Sequence, residues 1–269
     1  MKFSVLISVY NKESCHFFNM ALKSIWDDQI LKPNEIVIVK DGPLSTELEN
    51  IIEIYSQIAP INVITFNKNM GLGIALAKGI EVCKFNIIAR MDSDDIAYPD
   101  RFEKQIKFIT NHPEYDVIGS NIAEFNQSIN DIVSYRKLPE KPNEIALFAK
   151  RRNPMNHMSV VFRKEAVLRA GNYIPFQGYE DYYLWIRMLL KGSTFYNLQE
   201  ILILARIGNE MIIRRQGKIF FFQELKLQKE LLRIRFINWF DYIFNLFFRA
   251  IPRLFPVWGL KYVYNYLRK

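Results

Sequence analysis

Apolar and polar positions alternate along the first 120 residues in blocks that predict strands and helices in turn. Phe3–Tyr10 is a short apolar run that breaks into polar loop residues, as a buried strand does. Phe17–Trp26 carries helical spacing, Glu35–Lys40 is a β-branched strand, and Leu44–Ile58 reads as a helix. Ile61–Phe66 is a third strand, Ile74–Cys83 a helix, and Asn86–Met91 a fourth strand. Pro99-Asp100 opens the next helix. Strands alternating with helices of this length imply βαβ units, a mainly parallel sheet and right-handed connections. Beyond residue 120 the pattern loosens. Val117–Phe125, Ile132–Tyr135 and Ser159–Phe162 read as strands, and Pro142–Lys150, Lys164–Ala170 and Tyr179–Leu190 as helices. No internal repeat is visible.

Each of the first four strands ends in a polar cluster: Tyr10-Asn11, Asp41-Gly42, the Asn69–Gly73 loop and Asp92–Asp95. In a parallel sheet these all emerge on one edge, where ligands bind, and a nucleotide site is the default expectation. Asp92-Ser93-Asp94-Asp95 sets three carboxylates within four residues, which repel one another unless a cation sits between them. Oxygen donors of this kind suit Mg²⁺ or Mn²⁺ and leave coordination places for phosphate oxygens. The competing readings are an acidic loop that caps the helix after Pro99, and a phosphatase whose nucleophilic aspartate heads an Asp-x-Asp motif. The phosphatase motif follows a first strand, not a fourth. Gly71-Leu72-Gly73 lacks the third small residue of a dinucleotide fingerprint, because position 76 is Leu, so a dehydrogenase is disfavoured.

Glu180-Asp181 opens an amphipathic helix. Acidic residues there complement the helix dipole, or supply a base for an attacking hydroxyl. His157 is a candidate for touching a metal or a diphosphate, against a satisfied structural histidine. Arg151 and Arg152 are either phosphate ligands or solvated.

Charge divides the chain. Residues 204–269 hold 13 Lys and Arg against 4 Asp and Glu, whereas residues 1–203 hold 23 against 24. The same C-terminal quarter carries 15 of the 39 aromatics. This predicts a core, residues 1–205, followed by a basic aromatic helical tail, residues 206–269. Basic residues mixed with Trp and Phe suit an anionic membrane surface, with Arg233, Arg235, Arg249, Arg253, Lys261, Arg268 and Lys269 toward headgroups. The alternatives are a helical hairpin with a solvated basic face, or nucleic-acid binding, for which no motif is present. No run of 18 apolar residues predicts a transmembrane helix, and the N-terminus lacks the pattern of a signal peptide. Two cysteines, Cys15 and Cys83, exclude a disulfide framework and a multi-cysteine zinc site.

The set Ser8-Val9-Tyr10-Asn11, Asp41-Gly42, Asn69–Gly73, Arg90–Asp95 and Gly178–Tyr182 resembles the family 2 glycosyltransferases, in particular the amylovoran and O-antigen type, over about residues 3–205. The resemblance implies an α/β fold of the GT-A (nucleotide-diphospho-sugar transferase) kind, with helices flanking the sheet and a C-terminal helical appendage. It implies Val9, Tyr10 and Asn11 lining a base pocket, Asp41 at uracil, and Gly71 and Lys78 near the nucleotide. Arg90 and Asp92 would lie at the ribose or donor sugar, and Asp94 would hold Mn²⁺ or Mg²⁺. Asp181 would be the base, with Asp95, His157 and Glu180 as further candidates. The implied reaction is inverting transfer of glucose or galactose from a UDP-sugar to GlcNAc- or GalNAc-diphospho-undecaprenol. The linkage would be β, of the β-1,3 kind, and the setting a peripheral enzyme at the cytoplasmic face of the inner membrane. Lys40-Asp41 departs from the Asp-Asp of many members, and the Gln-x-x-Arg-Trp motif of processive members is absent, which favours adding one sugar. A sugar-phosphate nucleotidyltransferase and a non-catalytic membrane-bound assembly protein are the rival readings.

Overall fold

The computed structural model describes residues 1–207 and 217–254. The first half follows the expected alternation: β1 (Phe3–Val9), α1 (Cys15–Ile25), β2 (Glu35–Lys40), α2 (Thr46–Ser56), β3 (Ile61–Thr65), α3 (Leu72–Val82) and β4 (Ile87–Met91). These four strands lie parallel in the order β3-β2-β1-β4. The chain moves outward from β1 through β2 to β3, then returns past β1 to β4. The crevice between the carboxyl ends of β1 and β4 is therefore the point where strand order reverses.

The second half comprises β5 (Ile96–Ala97), α4 (Arg101–Asn111), β6 (Val117–Phe125), β7 (Ile132–Arg136), α5 (Pro142–Ala149), β8 (Val161–Arg163), α6 (Lys164–Arg169), α7 (Glu180–Leu190) and β9 (Phe195–Arg206). The sheet continues from β4 as β8-β6-β9-β5, with β7 also on β6. The mainly parallel sheet becomes mixed in this half. β8 runs antiparallel to both β4 and β6, β5 is antiparallel to β9, and only β6 and β9 are parallel. The predicted strand at Ser159 begins two residues later, because residues 157–159 form a 3₁₀ turn before β8. The long strand β9 was not predicted. Its apolar pattern is interrupted at Gln199-Glu200, where the register against β6 shifts.

Adjacent β1 residues point to opposite faces, and both faces are covered, so the strand is apolar throughout. Val5 and Ile7 share one core cluster with Phe18 and Leu22 of α1 and Phe102 and Ile106 of α4. Leu6 belongs to the cluster on the other face, with Leu76 and Ile80 of α3 and Leu184 and Trp185 of α7.

The tail forms a long helix (Lys218–Arg233), a short helix (Trp239–Asn245) and two further turns through Leu254. The short helix starts at a reciprocal cap between Asn238 and Asp241. Leu227, Leu231 and Ile237 of the tail pack on Phe176, Tyr179, Tyr182, Tyr183 and Ile186 around α7. The boundary expected at 205/206 falls one residue inside β9. Among the described residues no helix is long and apolar enough to cross a membrane. Lys261, Arg268 and Lys269 lie outside the described residues.

Candidate active site

The strand-end clusters meet one another through specific bonds. At the end of β2, Asp41 is buried, and its two carboxylate oxygens accept from the backbone N–H groups of Met70, at 2.6 Å, and Gly71, at 3.0 Å. Asp41 N–H itself donates to Val9 O. One short acidic side chain thus ties the loop after β3 to the ends of β1 and β2. Gly71 takes φ = 90°, a conformation that favours glycine, and opens α3. Gly73, on the first turn of α3, lies so close to α7 that an added Cβ would stand 2.9 Å from Glu180 Cγ. The glycine loop and the acid pair at residue 180 are therefore neighbours in space. Tyr10 and Asn11 are exposed at the mouth of this edge, while Val9 is buried beneath them. Lys78 sits farther along α3, exposed and paired with Glu81 at 3.1 Å. Among the described residues its polar partner is Glu81, which is not a candidate site residue.

The acidic loop follows β4. None of its carboxylates caps a helix, since α4 begins after Asp100. The loop is fastened from three sides. Ser93 Oγ donates to Glu13 on the β1 loop at 2.5 Å. Asp92 pairs with Arg90. Arg206, at the end of β9, donates its N–H to Asp95 Oδ1 at 2.7 Å and its Nε to Asp94 O at 3.1 Å, with its guanidinium between the rings of Phe17 and Phe125. Burial, reinforced by Asp92 and Glu13, pushes the Asp94 carboxyl up to about 7. Burial, with Asp92 and Asp94, also drives Asp95 well above the ordinary carboxylate value, and among the described residues its Oδ2 has no hydrogen-bond partner.

This is a field short of positive charge, and its donors are hard oxygens, so the loop fits Mg²⁺ or Mn²⁺. Among the described residues no three His, Cys, Asp or Glu side chains gather around one point. The arrangement therefore matches an ion held by one or two carboxylates, with substrate phosphates and water completing the shell.

Arg90 is 2% exposed, and among the described residues its Nε and Nη1 have no partner. Arg101, also buried, braces it from below by donating to Arg90 O at 2.7 Å. His157 Nε2 lies 2.7 Å from the Tyr173 hydroxyl, with the Trp185 ring on another side. Burial, then the Arg90 charge, lower the His157 pKa, so the ring is neutral. The ring is half-buried with its Nε2 engaged by Tyr173, as a structural histidine would be. Tyr173 was not singled out from sequence. It stands in the combined field of Arg90, Asp92, Glu180 and Asp181, and burial raises its pKa.

Glu180 and Asp181 begin α7, and burial raises the Glu180 pKa. Asp181 Oδ2 accepts from Asn153 Nδ2 at 2.5 Å, which fixes the carboxylate's rotation and leaves Oδ1 for another donor. Asn153 also escaped prediction as a site residue. Its only sequence signal was the polar run Asn153–His157 before a strand. The reading of Arg151 as a phosphate ligand or a solvated residue is corrected. Its guanidinium pairs with Asp241 of the tail at 2.7 Å and lies over the Phe244 ring.

The chain matches the model of glycosyl transferase family 2 over residues 4–169. Over full length it is 38% identical to the amylovoran biosynthesis glycosyltransferase AmsE of Erwinia amylovora, with 99% of each chain covered. It is 35% identical to the UDP-Gal:α-D-GlcNAc-diphosphoundecaprenol β-1,3-galactosyltransferase of Escherichia coli, covering 98% of this chain and 95% of that one. In three dimensions it resembles a Staphylococcus aureus TarS fragment solved with UDP-GlcNAc. The TM-score there is 0.65 at 19% identity, over 86% of this chain and 67% of the other. It also resembles a Pyrobaculum calidifontis mannosyltransferase solved with GDP-Man and Mn²⁺, with TM-score 0.67 at 12% identity, over 99% and 74%. These likenesses show the GT-A fold that the motifs implied. The chain belongs to glycosyl transferase family 2 and is a glycosyltransferase.

Proposed function

We propose that the enzyme moves a single hexose, galactose or glucose, from a UDP-sugar to GlcNAc or GalNAc carried on a polyprenyl diphosphate. The new bond is β, and the product is a repeat-unit intermediate of an O-antigen or capsule. One observation carries this reading: the Asp41-held glycine loop lies against Glu180 at the start of α7, beside the Asn153–Asp181 pair, and Tyr173 stands in the field of both this acid pair and Asp92 of the acidic loop. The donor and acceptor classes follow those named for the Escherichia coli relative.

Val9, Tyr10 and Asn11 border the nucleoside, and Asp41 shapes the Asn69–Gly71 loop against it. Arg90 and Asp92 orient the ribose and donor sugar. Asp94, with Asp92, would hold Mn²⁺ or Mg²⁺, which supplies charge neutralisation at the departing diphosphate. Asp181 Oδ1 takes the proton from the acceptor hydroxyl as that oxygen attacks the anomeric carbon from the face opposite UDP. The carbon–diphosphate bond breaks, its electron pair leaves with UDP, and the anomeric configuration inverts. Asn153 keeps the other Asp181 oxygen occupied, so the base presents one oxygen.

The tail supports action at a lipid surface. Its buried side carries Glu224, Gln228, Asp241 and Asn245 beside Leu227 and Leu231. Its exposed side carries Ile219, Phe222, Trp239, Phe240, Ile243, Phe247 and Phe248. A helix facing water has the reverse arrangement, and exposed aromatics of this number suit the headgroup boundary. Arg249 and Arg253, expected at headgroups, turn inward onto Glu224 instead, so the aromatic side leads this contact.

The test is transfer from UDP-galactose, UDP-glucose or UDP-GlcNAc to a synthetic GlcNAc-diphospho-lipid with Mn²⁺. A β-linked disaccharide lipid and released UDP are expected. Asp181→Asn is expected to lower transfer by about 10²- to 10⁴-fold with UDP affinity unchanged. An α-linked product, or equal loss of UDP binding in Asp181→Asn, contradicts the assignment.

A further inference from the structure

Asp181 is the second residue of α7, and the tail holds both of its supports. The first is Tyr179, the residue before the helix. Its hydroxyl donates to Glu224 Oε2 at 2.6 Å. Glu224 is fully buried and also accepts from Arg249 Nε at 2.8 Å and Nη2 at 3.2 Å. Arg253 Nη2, at 3.1 Å, and Gln228 Nε2, at 2.9 Å, complete its donors. A carboxylate so surrounded has one orientation, and the phenol bonded to it is fixed in turn.

The second support is Asn153, which donates to Asp181. Several bonds fasten the segment leading to it to the tail. Arg151 pairs with Asp241, Arg249 Nη1 donates to Arg151 O, and Asn245 Nδ2 donates to Lys150 O at 2.9 Å.

We infer that the buried Glu224–Arg249–Arg253 cluster of the tail is a positioning element for Asp181. It acts through Tyr179 on the helix side and through the Lys150–Asn153 segment on the amide side. The inference rests on reading Asp181 as the base. Proton transfer requires the carboxylate within hydrogen-bond reach of the acceptor hydroxyl, and displacement by about 1 Å can cost 10²-fold. Apolar side chains of similar volume would hold the tail against α7 equally well. What the ion cluster adds is a fixed hydrogen-bond acceptor for Tyr179.

Tyr179→Phe removes one hydroxyl and keeps the ring packing, and Glu224→Gln keeps the side-chain size. Transfer to GlcNAc-diphospho-lipid is measured in both, with donor KM, UDP binding by calorimetry and melting temperature. The expected result is a kcat lower by roughly ten- to a hundredfold, with donor KM and UDP affinity within about twofold. The loss in the double variant should be smaller than the product of the two single losses, because both remove the Tyr179–Glu224 bond. If Glu224→Gln does not fold, Tyr179→Phe decides alone. A folded Tyr179→Phe with unchanged kcat overturns the inference. Asp181→Asn measured alongside separates the two readings. Normal transfer in that variant overturns the base assignment and this inference together. Loss of transfer there with none in Tyr179→Phe overturns positioning only.

Discussion

The protein buries carboxylates in two places and treats them oppositely. Around Asp94, burial and neighbouring acids push the carboxyl up to about 7, and Asp95 keeps a buried oxygen without a partner among the described residues. At Glu224, burial also opposes the charge, yet Arg249, Arg253 and their hydrogen bonds bring the carboxyl down to about 2. Asp95 and Glu224 are both buried, and Asp94 beside Asp95 is half-buried, so burial alone does not set the two regions apart. The difference is whether the protein supplies the counter-charge. Where it does, the acid is part of the architecture. Where it supplies too little, as for the three aspartates that share Arg90 and Arg206, the acids suit a cation from outside, in keeping with the proposed metal site.

Asp94→Asn breaks this contrast most sharply. It removes a charge from a crowded set, so the repulsion falls and the metal-free variant should melt no lower than the wild type. Transfer should nevertheless drop by about a thousandfold, the several kcal/mol a metal clamp contributes. Thermal melting without metal and turnover with Mn²⁺ check the two halves. A variant that melts well below the wild type and keeps its turnover would make Asp94 a structural residue like Glu224.

Sequence made one of these regions visible and hid the other. The acidic loop, the glycine loop and the first four strands are local patterns, carried by contiguous residues and by β-branched runs that end in polar clusters. Glu224, Arg249, Arg253 and Tyr179 come together only through the docking of the tail, and nothing in their spacing pairs them. The same holds for Asn153 and Asp181, 28 residues apart and joined from a loop to the first turn of α7. β9 was obscured for a different reason. Gln199-Glu200 breaks its pattern where β6 slips in register, so a twelve-residue strand reads as two fragments. The antiparallel strand β5 is two residues long, too short for alternation to show. Two of the tail's basic residues misled because composition does not record direction, whereas Arg233 and Arg235 stay exposed as expected. Arg249 and Arg253 count as positive surface until the fold turns them inward.

The second test uses acid. Glu224 has an ordinary value of 4.5 and a folded value of about 2, so the folded state binds its proton less readily than the unfolded chain. Its contribution to stability is fully present above about pH 4.5 and is lost as pH falls through 2. The gap corresponds to roughly 3 kcal/mol. Denaturant unfolding followed from pH 5 to pH 2.5 should therefore show a steeper loss in the wild type than in Glu224→Gln, by up to about 1.4 kcal/mol per pH unit. Parallel curves would mean that the arginines do not hold Glu224 charged, and the contrast with Asp94 would weaken to a difference of degree.

The smallest effect on stability is expected on the other side of the same helices, and it sharpens the comparison by separating what the tail does inward from what it does outward. Phe240 and Phe247 are 73% and 60% exposed, so each gives the fold little apolar burial. Replacing both with Ser should change folding stability by no more than about 0.5 kcal/mol and leave transfer to a soluble acceptor analogue intact. If these rings enter a bilayer, each contributes about 1.5–3 kcal/mol there. Co-sedimentation with anionic phospholipid vesicles should then fall at least about tenfold, together with transfer to a vesicle-borne acceptor. Asn245→Ala, on the buried side, should do the reverse, because its amide joins Lys150 O to Gln228 and touches no lipid. A double Ser variant that still binds vesicles normally would leave the exposed aromatics without a role in membrane contact. The tail would then serve only as the brace behind Asp181.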